Sequence, residues 1–188
     1  PKGYEPAWQV HAVPEIGAPD WSEPRHIEFE IPVHVQDMCE NTCDPVHFKY
    51  VHKMVSVPPS DISFDDDGRV MTMVTENKAA EFPCVLTATV HNIGLAEVRL
   101  SYGPGAEMIT YSSSLPIDEN RTLTRWSLTV SNSIVDITGD QHINGIIAGI
   151  QQDLPIWRNK VHKTQPVFCK ADTGLVQFRK WVRQFYVN

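Results

Sequence analysis

Four cysteines among 188 residues, Cys39, Cys43, Cys84 and Cys169, are too few and too awkwardly spaced for several common architectures. No CxxC, CxH or CxxH pair occurs, so a zinc ribbon or a self-contained iron–sulfur site has no ligand set. Cys39 and Cys43 stand four apart, a spacing for one helix face and not for a disulfide staple. Free thiols in a reducing cytoplasm are expected. No apolar run approaches the length of a bilayer span, so no transmembrane helix is expected. Internal repeats and low-complexity segments are lacking as well. Positive charge is in short supply: 16 Lys and Arg face 23 Asp and Glu, a net charge of −7 that argues against nucleic acid as the main partner.

What is present belongs to a folded domain. A composition of 41% hydrophobic and 21% charged residues argues against disorder, and 188 residues suit one domain with a sizeable core. Charge is unevenly spread, because residues 151–188 hold seven Lys and Arg against only Asp153 and Asp172. That segment reads as a helix with a solvated basic face, or as a docking surface for an acidic redox partner. The first 24 residues carry five prolines and read as an extended linker, with the folded domain over residues 25–188. The chain opens "PKGYEPAW" without an initiator Met, so a fragment or processed product is expected.

Alternation in "RHIEFEIPVHVQD" puts Ile27, Phe29, Ile31, Val33 and Val35 on one face of a strand, with Pro32 placing it at an edge or a bulge. Three pairs of strand-like pieces follow, turning at Asp67-Gly68, at Asn92-Ile93-Gly94 and across "PIDENR". Short turns between neighbours imply an antiparallel sheet of about six strands or more. Asp136 to about Lys163 reads as one long helical stretch, softened by Gly145 and Gly149 and interrupted by Pro155. "TGLVQFRKWVRQFY" closes the chain as an amphipathic helix, with Val176, Phe178, Trp181, Val182 and Phe185 available for packing. The fold class is therefore α+β, a curved antiparallel sheet gripping a long C-terminal helix.

Two features carry chemistry. On the long helix, Ile146, Ile150, Asp153 and Trp157 share one face, so Asp153 projects from an apolar stripe. A carboxylate there needs a cation, a donor cluster or a metal, or the helix rolls so that it meets water or pairs with Arg158 or Lys160. The second feature is "CENTCDPVHFKYVHK", residues 39–53. Asp44-Pro45 is a good helix N-cap with proline at the first helical position. His47 and His52 are about 140° apart on an ideal helix and converge only if the helix widens or ends between them. Two imidazoles and one distant carboxylate would form the facial triad of non-haem Fe(II) oxygenases; three such ligands also suit zinc with a water. The other histidines (His11, His26, His34, His91, His142 and His162) show no metal spacing. Ser112 to Ser114 lack a nucleophile-elbow context.

"ENTCDPVHFKYVH" resembles the iron-binding segment of the catalytic domain of Rieske-type non-haem iron oxygenases, with its N/E-x-x-D-x-x-H-x-x-x-x-H pattern. "QQDLPIWRNKV" is similar to the segment bearing that family's third ligand, and "FRKWVRQFY" to the ending of its ketosteroid hydroxylase and cholesterol desaturase branch. "GYEPAW" resembles the stretch that follows the Rieske domain, whose C-x-H…C-x-x-H signature is absent from these residues.

The resemblance implies a START-like helix-grip fold with His47, His52 and Asp153 as ligands of a mononuclear Fe(II). It implies Asp44 as the electron-transfer bridge to a neighbouring subunit's Rieske histidine, and Asn41 as a residue near the iron. A [2Fe-2S] cluster is expected in a preceding domain, residues 1–24 being the linker that follows it. O2, a hydrophobic ring substrate, a reductase or ferredoxin donor and a homotrimer are the implied partners. Two other readings stand beside it: a non-catalytic START-like lipid- or steroid-binding module, and a zinc hydrolase using the same three ligands.

Overall fold

The computed structural model describes residues 9–78 and 83–186. Alternating Ile27, Phe29 and Ile31 form β1 (Arg25–Ile31), which among the described residues pairs only with β7 and so lies at the sheet edge. Pro32 ends this strand. Val33 is buried beyond it, but Val35 begins a short helix, α1 (Val35–Cys39), instead of prolonging the alternation. Proline lacks the N–H a ladder needs, and His34 caps the new helix by accepting from the Gln36 N–H.

Six further strands follow among the described residues: β2 (Ser60–Phe64), β3 (Met71–Asn77), β4 (Cys84–Asn92), β5 (Leu95–Gly103), β6 (Ala106–Asp118) and β7 (Arg121–Val130). All neighbours are antiparallel, in the order β1-β7-β6-β5-β4-β3-β2. The expected turns join them. Gly68 has φ +67° between β2 and β3, a conformation that glycine adopts without Cβ strain. Asn92 Oδ1 accepts from the Gly94 N–H between β4 and β5. The β5/β6 turn runs through Gly105, also at positive φ.

The long helical stretch is two helices, α3 (Asn132–Thr138) and α4 (Gln141–Asn159). Gly139, with φ +55°, breaks it, whereas Gly145, Gly149 and Pro155 are carried inside α4. α4 packs across the sheet: Ile143, Leu154 and Trp157 meet Ile31, Met108, Trp126 and Leu128 in the main core. A second core joins Phe178 and Trp181 of α5 (Thr173–Trp181), with Val182, to Cys43, Met71 and Val90. Full burial of each large side chain contributes roughly 1.5–3 kcal/mol.

Residues 9–24 lie along the other side of β5 and β6. Tyr111 donates to the His11 carbonyl at 2.7 Å, Arg99 pairs with Glu15 at 2.6 Å, and Trp21 bridges to Ser131. Residues 1–8 of the expected linker lie outside the described residues. Among the described residues, no helix is long and apolar enough to cross a membrane.

Candidate metal centre

Asp44 and Pro45 start α2 (Pro45–Tyr50) as the sequence suggests. Asp44 Oδ1 accepts from the Val46 N–H at 2.9 Å, with Pro45 at the start of the helix. The helix stops at Tyr50, and the chain turns through Val51 before His52. This ending is what lets two imidazoles five residues apart face one another: the rings of His47 and His52 are 5.1 Å apart at 76°. Asp153 arrives from α4, its side chain only 8% exposed, with Oδ2 3.6 Å from His52 Nε2. One ligand atom from each of His47, His52 and Asp153 lies within 4.8 Å of the others.

The outward nitrogens are held by acceptors. His47 Nδ1 donates to the Asp44 carbonyl, and His52 Nδ1 donates to Gln152 Oε1 at 3.2 Å. Both Nε2 atoms are thereby left with lone pairs, the arrangement that orients an imidazole toward a metal. Burial depresses the His47 pKa, against the pull of the Asp44 carbonyl, and keeps the ring in its neutral, ligating form. Burial pushes the Asp153 carboxyl up to about 6, against the downward pull of His52 and of the neighbouring Asn41 side chain. Among the described residues, Asp153 Oδ1 is buried without a hydrogen-bond partner. Neither Arg158 nor Lys160 answers it, since Lys160 reaches the Asp37 carbonyl at 2.7 Å and Glu40 at 3.5 Å. Two imidazoles with committed Nδ1 atoms and a buried carboxylate whose Oδ1 has no partner fit a divalent cation.

The three residues open onto a cavity of about 630 Å³ between α4 and the sheet. Its lining is mostly apolar, with Leu86, Val98, Leu100 and Trp126 from strands and Ile146, Ile150 and Trp157 from α4. Asn41 and Thr42 line it beside the triad; Asp44 does not, since its carboxylate is turned to the α2 cap.

A second cluster escaped the spacing argument. His34, Asp37 and His162 also bring ligand atoms within 4.8 Å of one another. Their donors are already engaged. His34 Nδ1 caps α1, His162 Nδ1 contacts Asp37 Oδ2 at 2.8 Å, and Arg179 pairs with Asp37 Oδ1 at 3.3 Å and with Glu40. With Lys160 on the Asp37 carbonyl, the cluster is an ion-pair lock joining α1, the chain after α4, and α5. Part of the C-terminal positive charge is thus consumed internally, which corrects the picture of a wholly solvated basic face. The only sign of this in the sequence is an acid pair, Asp37 and Glu40, amid Val35, Met38 and Cys39.

A profile of the family described as 3-ketosteroid 9alpha-hydroxylase C-terminal domain matches residues 1–186. The oxygenase component of 3-ketosteroid-9-alpha-monooxygenase from Mycobacterium tuberculosis is 22% identical over 205 residues, covering 98% of this chain and 52% of the relative. Cholesterol 7-desaturase from Caenorhabditis elegans is 24% identical over 219 residues, covering 99% and 50%. The chain therefore spans about half the length of the curated relatives it matches. Among solved structures, the Pseudomonas putida CBB5 NdmA QL mutant with caffeine superposes with a TM-score of 0.73 over 93% of this chain and 53% of that one. At 17% identity this is a likeness of fold. The chain belongs to the 3-ketosteroid 9alpha-hydroxylase C-terminal domain family.

Proposed function

We propose that His47 and His52, through Nε2, and Asp153, through its carboxylate, hold a mononuclear Fe(II) in the catalytic domain of an oxygenase acting on an apolar, steroid-like ring compound. The observation that carries this reading is the buried Asp153 carboxylate, its Oδ1 without a partner among the described residues, facing two imidazoles whose Nδ1 atoms are already committed. Iron held there supplies O2 activation, which no protein side chain provides. The protein's own share is placement. The Asp44 carbonyl and Gln152 fix the two rings, and the apolar walls along α4 and the sheet exclude water and orient the substrate.

Hydroxylation and desaturation are the two outcomes suggested by the relatives' names. Asp44, tied to His47 through its carbonyl, is the proposed electron entry point from a Rieske [2Fe-2S] cluster in a neighbouring subunit. Residues 1–24 are then a linker and residues 25–188 the catalytic domain of an intact trimer, served by a reductase or ferredoxin. A binding module would have no use for Asp153 on an apolar stripe, and a zinc hydrolase would need a general base beside the triad.

Anaerobic reconstitution tests the assignment. About one iron per chain is expected in the wild type, and none is expected in the His47→Ala/Asp153→Ala double variant. Full iron occupancy in that variant would overturn the triad.

A further inference from the structure

The cavity follows one face of α4, and its two ends differ in chemistry. His142, Gly145, Gly149 and Asp153 all line it, spaced three, four and four residues apart, so they fall on a single stripe of the helix. Eleven residues separate the end members, about 16 Å along the axis. Between them the helix is bare: a Cβ at Gly145 or Gly149 would meet nothing within 4 Å. The glycines leave a trough, walled by apolar side chains, that leads from Asp153 to His142.

The far end is polar. The His142 and Tyr102 rings stand edge to face, 5.1 Å apart at 84°, and both line the cavity. His142 Nε2 is buried without a hydrogen-bond partner among the described residues. Nor do these residues give the Tyr102 hydroxyl a partner, and burial holds its proton more tightly than in a free phenol. The buried, unpartnered His142 Nε2 is costly unless something that enters the trough answers it, and the Tyr102 hydroxyl beside it offers a second polar contact.

We propose that Tyr102 and His142 form a polar anchor for a ketone or hydroxyl oxygen at the distal end of an elongated, otherwise apolar ligand, and so determine which end of it faces Asp153. The inference rests on reading the cavity as the substrate site. Four fused carbon rings span about 10 Å at ordinary bond lengths, which with terminal oxygens and side-chain reach bridges the trough. A single ring does not. The phenol donates to the ligand oxygen, and the imidazole donates or accepts beside it according to its tautomer.

The test is a binding cycle on the 188-residue chain, read by quenching of Trp126 and Trp157, which line the cavity. The probes are androst-4-ene-3,17-dione and the two monoketones, androst-4-en-3-one and androst-4-en-17-one. Loss of one particular ketone is expected to weaken wild-type binding about tenfold. In Tyr102→Phe and His142→Leu the same deletion is expected to matter less than about twofold, with iron content unchanged. Tyr102→Phe keeps the ring and guards against misfolding. Unchanged ketone dependence in both variants overturns the anchor while leaving the metal reading intact. Failure of the wild type to bind the dione overturns the anchor and the steroid reading together.

Discussion

Replacing Asp153 by Asn should make the metal-free protein more stable while abolishing its metal site. Asp153 is buried, and its pKa rises from 3.8 to about 6 because its charge is poorly solvated. A group whose pKa is raised on folding favours the folded state below its unfolded value, and that contribution disappears as pH climbs through the folded value. The metal-free wild type should therefore lose stability between about pH 4 and 6 and carry the full penalty by pH 7.5, about 3 kcal/mol for a displacement of roughly two pH units. Asparagine has nearly the same shape and does not titrate. In urea melts with chelator, Asp153→Asn should exceed the wild type by about 3 kcal/mol at pH 7.5 and match it near pH 4. In thermal melts the difference at pH 7.5 corresponds to about 6–12 °C for a domain of this size. Ferrous ion should then raise the wild-type midpoint and leave the variant unmoved. A variant no more stable than wild type at pH 7.5, or equally stabilised at both pH values, would refute the picture of a poorly solvated carboxylate.

Three other perturbations probe neighbouring parts of the structure. Gln152→Leu removes the acceptor for His52 Nδ1 and should weaken Fe(II) or Co(II) affinity by about tenfold in titrations, with stability changed by less than about 0.5 kcal/mol. Asp37→Asn strips the lock of its central charge and leaves Arg179 and His162 underpaired; urea melts should show a loss of about 3 kcal/mol. Gly174→Ala sets a Cβ 2.6 Å from the Cys43 carbonyl and 3.1 Å from Ile62 Cδ1. It should cost about 1–3 kcal/mol by overpacking despite alanine's better helix propensity. Because Cys43 leads directly into Asp44, metal affinity should fall with it.

The sheet was legible because strand alternation and turn chemistry are local. Asp67-Gly68 and Asn92-Ile93-Gly94 reverse the chain where their residue types demand it. Asp153 was legible for a different reason: a charge on an apolar stripe conflicts with its own surroundings, and the conflict is visible in one helix. The break at Gly139 was not, since a glycine tolerated within a helix and one ending it differ only in the φ that packing imposes. Nor was the lock around Asp37, which joins residues more than 100 positions apart and leaves no periodic trace. Val35 misled because the apolar alternation continues past Pro32, where the backbone no longer can. His142 read as an ordinary histidine until the sheet set Tyr102 against it.

The trough along α4 also acts as a ruler. Both of its marked positions, His142 and Asp153, are engraved on one helix, so the distance between them is counted in residues and not left to loops. Inserting one residue between the marks would turn one of them by about 100° and take it off the trough. Inserting seven would keep both on the same face and lengthen the trough by about 10 Å. Ligand length among descendants of this architecture should therefore change in steps of helical turns, while ligand width is free to drift through single substitutions at Gly145 and Gly149.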